Sequence, residues 1–125
     1  MIRSSTTQDS DPYQKELIWS RSEKAIARTA FDAALGRELR EVIRQAKRMA
    51  NGIQQSSDLW DLEQYLTQRR KEIDRKYDYR YSRLTDVLGR LLYENRLREE
   101  ELRGLNGDKL ESIRSFAKFL RESAA

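Results

Sequence analysis

Cysteine and histidine are both absent from this chain of 125 residues. Without cysteine there is no disulfide framework and no thiol chemistry. Without histidine the commonest general acid–base and the commonest transition-metal ligand are gone. One proline and five glycines leave few helix breakers. No apolar run approaches the ~18 residues that a membrane-spanning helix needs. The polar stretch from Met1 to Pro12 has no apolar core, so it does not read as a secretory signal. Apolar residues are scarce as well, at 38%, against the ~45–50% of an ordinary globular domain. These absences point away from an enzyme and toward a soluble, cytoplasmic protein with no cofactor and no metal.

What the chain has in quantity is charge, at 37% of residues, with a net charge of only +4. Much charge and few breakers suit long, half-exposed helices, and the apolar residues are periodic, which argues against disorder. The sequence therefore predicts an all-α protein. Residues 1 to about 18 read as a flexible tail, rich in Ser, Thr and Asp and closed by Pro12. Residues 19–125 read as a single helical domain. A first helix is expected from Ser20 or Ser22, with Ser20 and Glu23 as a capping box. Its apolar face runs through Ile26, Ala30, Phe31, Ala34, Leu35, Leu39, Val42, Ala46, Met49 and Ile53. A helix of ~34 residues is ~50 Å long, whereas a compact globule of this size is only ~36 Å across. One end of the stripe must then project, and a second copy of the chain would cover it. The expected architecture is an elongated helical homodimer, with higher oligomers also compatible.

The second helical region is expected to open at Ser57 or Asp58 as N-cap. Its stripe runs through Leu59, Leu62, Leu66, Ile73, Tyr77, Leu84, Leu88, Leu91 and Leu92, ending at Gly104 and Gly107. Tyr77, Tyr79 and Tyr81 alternate, a pattern foreign to a helix, so a kink or break is expected there. A short last helix follows, with Asp108 as N-cap, Glu111 at N3, and Leu110, Ile113, Phe116, Ala117 and Leu120 as its apolar face.

The acidic residues (Asp58 and Asp61, Asp74 and Asp78, Glu99 to Glu101) are flanked by Lys or Arg and read as solvated helix faces with paired charges. No phosphate loop or metal-ligand spacing is present. From Arg69 to Arg83 seven cations (Arg69, Arg70, Lys71, Arg75, Lys76, Arg80 and Arg83) outnumber three acids (Glu72, Asp74 and Asp78), with tyrosines between them. Such a stretch is one footprint of nucleic-acid binding. The interspersed acids favour a solvated face or an acidic protein partner instead, so nucleic acid is the weaker alternative. At 100° per residue, Trp60, Glu63, Thr67, Arg70 and Asp74 share a stripe rotated by about 100° from Leu59, Leu62, Leu66 and Ile73. Trp and Arg are the residues most enriched at binding anchors. Trp60 therefore reads either as packing at a dimer seam or as an anchor beside it.

The segment Asp58-Leu59-Trp60-Asp61-Leu62, then Leu66, Arg70, Glu72-Ile73-Asp74, Lys76-Tyr77-Asp78 and Arg80, resembles the fluorescence recovery protein family. The likeness continues through Leu91-Leu92, Glu100-Glu101-Leu102, Asp108-Lys109 and Ile113, with a weaker match at Phe31 and Arg37-Glu38-Leu39, covering roughly residues 20 to 120. The resemblance implies an all-helical dimer that binds the photoactivated orange carotenoid protein, mainly through its C-terminal domain. It further implies faster return of that partner to its dark form and release from the phycobilisome, with no bond chemistry. The family's Trp and Arg fall at Trp60 and Arg70, and the implied contact patch takes in Glu63, Gln64, Thr67 and Asp74. The chain departs from the family at Glu63 and Gln64, where His and Asp are usual, at Asp86 in place of Phe, and at Ser112 in place of Lys. Those departures leave open a helical adaptor of the same fold with another protein partner.

Overall fold

The computed structural model describes residues 17–124, and nearly all of the expected N-terminal tail lies outside the described residues. Four α-helices and one short 3-10 helix account for the secondary structure of that span: α1 (Arg21–Asn51), α2 (Ser56–Lys76), α3 (Leu84–Tyr93), the 3-10 helix Glu99–Leu102, and α4 (Gly107–Ala124). No strand occurs among the described residues.

α1 begins where its capping chemistry places it. The Ser20 hydroxyl accepts from the Glu23 amide at 3.2 Å, and the Glu23 carboxylate accepts from the Ser20 amide at 3.0 Å. Each satisfies a backbone donor that the first helical turn leaves orphaned. The helix stops at Asn51, so Ile53 falls in the turn and α1 is 31 residues long, still ~46 Å.

The N-terminus of α2 differs from expectation. Gln55 is the N-cap, the helix starts at Ser56, and Asp58 occupies the third helical position. From there its carboxylate accepts from the amides of Gln54 and Gln55 at 3.0 and 3.2 Å. An aspartate in the first turn can satisfy the donors on its N-terminal side, so the cap lies at Gln55, ahead of both expected positions.

α2 doubles back along α1 and ends at Lys76. The break expected at the tyrosines is real: residues 77–80 belong to no helix, and the Asp78 amide bonds back to the Lys76 carbonyl at 3.0 Å before the chain turns into α3. Outside a helix, alternate side chains are no longer held about 200° apart around an axis, so alternating tyrosines can gather on one cluster. Tyr77 and Tyr79 both meet Phe31 edge-on, with ring centroids 5.3 and 4.8 Å away, and Tyr81 meets Tyr79 and Trp19 at 5.6 and 5.9 Å. The second helical region therefore consists of α2, this tyrosine strap, α3 and the 3-10 helix.

α3 ends in a Schellman motif. Asn95 takes a positive φ of 61°, the Arg96 amide reaches back to the Leu91 carbonyl at 2.9 Å, and the Asn95 amide donates to Leu92 at 3.1 Å. Asparagine tolerates the left-handed conformation this turn requires. α4 begins at Gly107, so Asp108 lies inside its first turn and is not its N-cap.

The core lies at one end of the molecule. Ala27, Ala30, Phe31 and Ala34 of α1 meet Leu84, Leu88 and Leu91 of α3 and Ile113 of α4, sealed by Leu97, Leu102 and Leu105 from the connection. Gly89 lets α3 and α4 approach closely. A Cβ there would stand 2.8 Å from the Ile113 carbonyl oxygen and 3.0 Å from the Phe116 Cβ.

Beyond this head, the far halves of α1 and α2 form a two-helix arm. The arm does not bury the stripes that the periodicity marked. Leu39, Leu59 and Leu66 are exposed, as is Ile43, which lies outside the marked stripe, and Ile73 is the one buried residue of α2. Periodicity identifies an apolar face but not what covers it, and a single chain leaves this one open.

Candidate partner-binding surface

Trp60, Glu63, Gln64, Thr67, Arg70 and Asp74 all lie on α2 and all are exposed. Trp60 is 62% exposed, unusual for so large an apolar side chain. The helical stripe carries it to the same side as Arg70, ten residues and ~15 Å further along. The Thr67 hydroxyl donates to the Glu63 carboxylate at 3.0 Å. Arg70 faces Asp74 at 3.9 Å, with the two side chains 86% and 73% exposed, so the guanidinium keeps most of its donors free. The surface thus offers a large apolar anchor and a planar donor fork on one rigid helix, with two carboxylates beside them. Trp and Arg are the side chains most enriched at protein-binding anchors.

The basic stretch is largely neutralised within the molecule. Arg69 pairs with Glu72 at 2.7 Å and with Glu38 at 2.8 Å. Lys76 pairs with Glu38 and with Glu94 at 2.7 Å. Arg80 engages Asp78, and Arg83 stands 3.7 Å from Asp86. Arg69, Lys76 and Arg80 are thus spent on the chain's own acids, and the free cations of the stretch, Arg70, Lys71 and Arg75, are interleaved with Glu72 and Asp74, which would oppose nucleic-acid phosphates.

The orientation of α2 depends on a buried charge cluster that the sequence reading did not identify. Glu38 of α1 is fully buried. Its carboxylate takes the Arg69 guanidinium, the Lys76 ammonium, the Tyr77 hydroxyl at 2.9 Å and Arg96 at 3.2 Å. Burial by itself would raise the Glu38 pKa, but hydrogen bonds from Lys76, Arg69 and Tyr77 outweigh it and hold the carboxyl below its ordinary value. Burial together with the hydrogen bond to Glu38 pushes the Tyr77 phenol up, so it stays protonated and donating.

A second pair, Glu23 with Lys109 at 3.1 Å, is also buried. Burial raises the Glu23 pKa, but the amides of Ser20 and Asn106 and the Lys109 ammonium bring it down to about 2. The signal for both acids was present. Glu23 and Glu38 share a helical face with Ala27, Ala30 and Ala34, and an acid on an apolar face is either an error of reading or a paired buried charge.

Among the described residues no helix is long and apolar enough to cross a membrane, and no cluster of acidic side chains is arranged to hold a metal ion.

Residues 19–117 match the family model described as photoprotection regulator fluorescence recovery protein. The chain is 38% identical over 103 residues to the fluorescence recovery protein of Synechocystis sp. (strain ATCC 27184 / PCC 6803 / Kazusa), covering 82% of this chain and 94% of that protein. Its fold is similar to the solved structure of the Fremyella diplosiphon fluorescence recovery protein, with a TM-score of 0.77 at 39% identity, over 81% of this chain and 99% of the other. The Synechocystis sp. PCC 6803 structure matches equally well, with a TM-score of 0.77 at 38% identity over the same shares.

Proposed function

The chain belongs to the fluorescence recovery protein family of photoprotection regulators, and from that we propose that it accelerates return of a photoactivated orange carotenoid protein to its dark form and its release from the phycobilisome. The observation that carries this reading is the family match across residues 19–117. The mechanism is differential binding. A protein that speeds a conformational change must hold the transition state more tightly than the open state, and one that shifts the equilibrium must prefer the closed form. Such a role fits a charged helical protein without histidine or cysteine.

The working form is an elongated, cytoplasmic homodimer built from the single helical domain of residues 19–125. Its support is the arm of α1 and α2, which leaves Leu39, Ile43, Leu59 and Leu66 exposed along its length. A second copy laid against the arm would remove that surface from water at ~25 cal/mol per Å². Trp60, Arg70, Glu63, Gln64, Thr67 and Asp74 then form the partner-binding patch beside the dimer seam, facing the partner's C-terminal domain. Glu63 and Gln64 change the charge of that surface relative to the family pattern, and Asp86 of α3 and Ser112 of α4 change it on the head. They favour, as the second reading, an adaptor of the same fold with a different protein partner.

The test measures dark recovery of an orange carotenoid protein with the unmodified chain, Trp60→Ala and Arg70→Leu. Light scattering should give twice 14.9 kDa for all three. Truncating a true anchor costs ~2 kcal/mol or more, so each substitution should weaken partner binding about 30-fold and slow recovery. Unchanged recovery in both variants would place the contact elsewhere. No acceleration by the unmodified chain would leave the adaptor reading.

A further inference from the structure

A cleft of about 550 Å³ opens on the head, away from the Trp60 patch, between the C-terminal end of α2, α3 and α4. Its size is in the range of clefts that hold ligands. Val87 of α3 and Phe116 of α4 supply apolar lining, and the Phe116 ring continues into exposed Phe119, 6.0 Å away.

The charges around the cleft are unequal in what they have left to give. Of its acids, Glu38 is buried and spent, Glu72 is held by Arg69, Asp78 by Arg80, and Glu94 by Lys76 and Arg96. Among its cations, three keep free donors. Arg75 is exposed and makes no ion pair among the described residues. Arg83 reaches only Asp86, at 3.7 Å, with its side chain 54% exposed. Arg90 reaches only Glu94, at 4.0 Å, with its side chain 42% exposed. The uncompensated charge at the rim is therefore cationic, with Asp86 as its single weakly engaged acid.

We propose that this cleft docks an acidic segment of a protein partner, with carboxylates on Arg75, Arg83 and Arg90 and one apolar side chain against Phe116 and Val87. Guanidinium forks match carboxylates in shape and shed water readily. Arg83 and Arg90 are seven residues apart, ~10 Å along α3. That spacing suits two carboxylates on one peptide better than a single small anion. The apolar lining gives a peptide side chain a place that a phosphate backbone would not use. Asp86 opposes the bound carboxylates, so removing its charge should tighten binding. The inference does not depend on which protein the α2 patch engages.

The probe is a fluorescein-labelled twelve-residue peptide with glutamates flanking a central leucine, followed by anisotropy with the full chain at physiological salt. The matching glutamine peptide and a single-stranded oligonucleotide of equal length are the comparisons. The acidic peptide should bind with saturation below about 1 mM, and the glutamine peptide at least about tenfold more weakly. Arg83→Glu/Arg90→Glu should weaken the acidic peptide at least about tenfold, and Asp86→Asn should tighten it several-fold. Lys47→Glu/Arg48→Glu, an equal change of charge at the far end of α1, should leave its affinity unaltered. Circular dichroism melts would confirm that each variant folds. Binding indifferent to the Arg83/Arg90 reversal, equal loss in the α1 control, tighter binding of the oligonucleotide, or no saturation by the acidic peptide would each overturn the proposal.

Discussion

Glu38→Gln removes one negative charge from the centre of the buried cluster while keeping nearly the same volume. The amide nitrogen would then aim donors at Lys76 and at either Arg69 or Arg96, which are themselves only donors, leaving one neutral carbonyl oxygen to accept from the rest. Breaking a buried ion pair by removing one partner typically costs 3–5 kcal/mol, because the remaining charge is left desolvated. Here each cation keeps another carboxylate. Arg69 retains Glu72 at 2.7 Å, Lys76 retains Glu94 at 2.7 Å, and Arg96 retains Glu94 at 2.9 Å and Glu41 at 3.1 Å. The three cationic side chains are also 12–19% exposed, so water reaches them. The expected loss therefore sits at the lower end, about 3 kcal/mol. In urea this moves the unfolding midpoint down by more than about 1 M at an ordinary slope. Wild type and variant must be compared at one protein concentration, since association would add its own contribution. A loss below about 1 kcal/mol would refute the view that Glu38 holds the arm to the head.

Gly89→Ala should destabilise by about 1–3 kcal/mol, read as a lower thermal midpoint, because the added methyl meets the Ile113 carbonyl at 2.8 Å; an unchanged midpoint would mean that α3 and α4 slide apart at no cost. Glu23 predicts the acid limb of stability. Its folded pKa of about 2 lies below the ordinary 4.5, so its contribution is complete above about pH 4.5 and is lost as pH falls toward 2. The difference corresponds to about 3 kcal/mol, and Glu23→Gln should flatten that part of the stability–pH curve measured by urea unfolding.

Local chemistry was legible in the sequence wherever it is decided within a few residues. The Ser20–Glu23 box fixes the start of α1, and the alternating tyrosines mark the break after α2. The 100° rotation of Trp60 from the leucine stripe appears as its exposure, although a dimer seam beside it is a separate matter. The N-terminus of α2 is not legible because its N-cap, Gln55, is not a preferred capping type, while the better caps Ser57 and Asp58 lie inside the first turn. The Glu38 cluster was missed for a different reason. Its partners Arg69, Tyr77 and Arg96 lie 31, 39 and 58 residues away, and in a chain with 25 cations an acid finds a plausible solvated neighbour almost anywhere. Composition counts charges, but burial decides which of them matter.

The same cluster bears on which way the exposed face of α2 points. α2 buries only Ile73 within the chain, so hydrophobic packing alone would leave its direction weakly defined. Arg69 and Lys76, two turns apart, both terminate on Glu38, and Tyr77 reaches it from the start of the strap. Two separated attachments on one helix fix its rotation as well as its position, and a single one would leave it free to roll. The face carrying Trp60 and Arg70 is thereby set by charges on the opposite side of α2. With this face as the proposed partner-binding patch, Glu38→Gln should lower partner affinity even where the folded fraction is unchanged. The apolar arm sets where a second copy would lie, while the buried acid sets which way the patch looks.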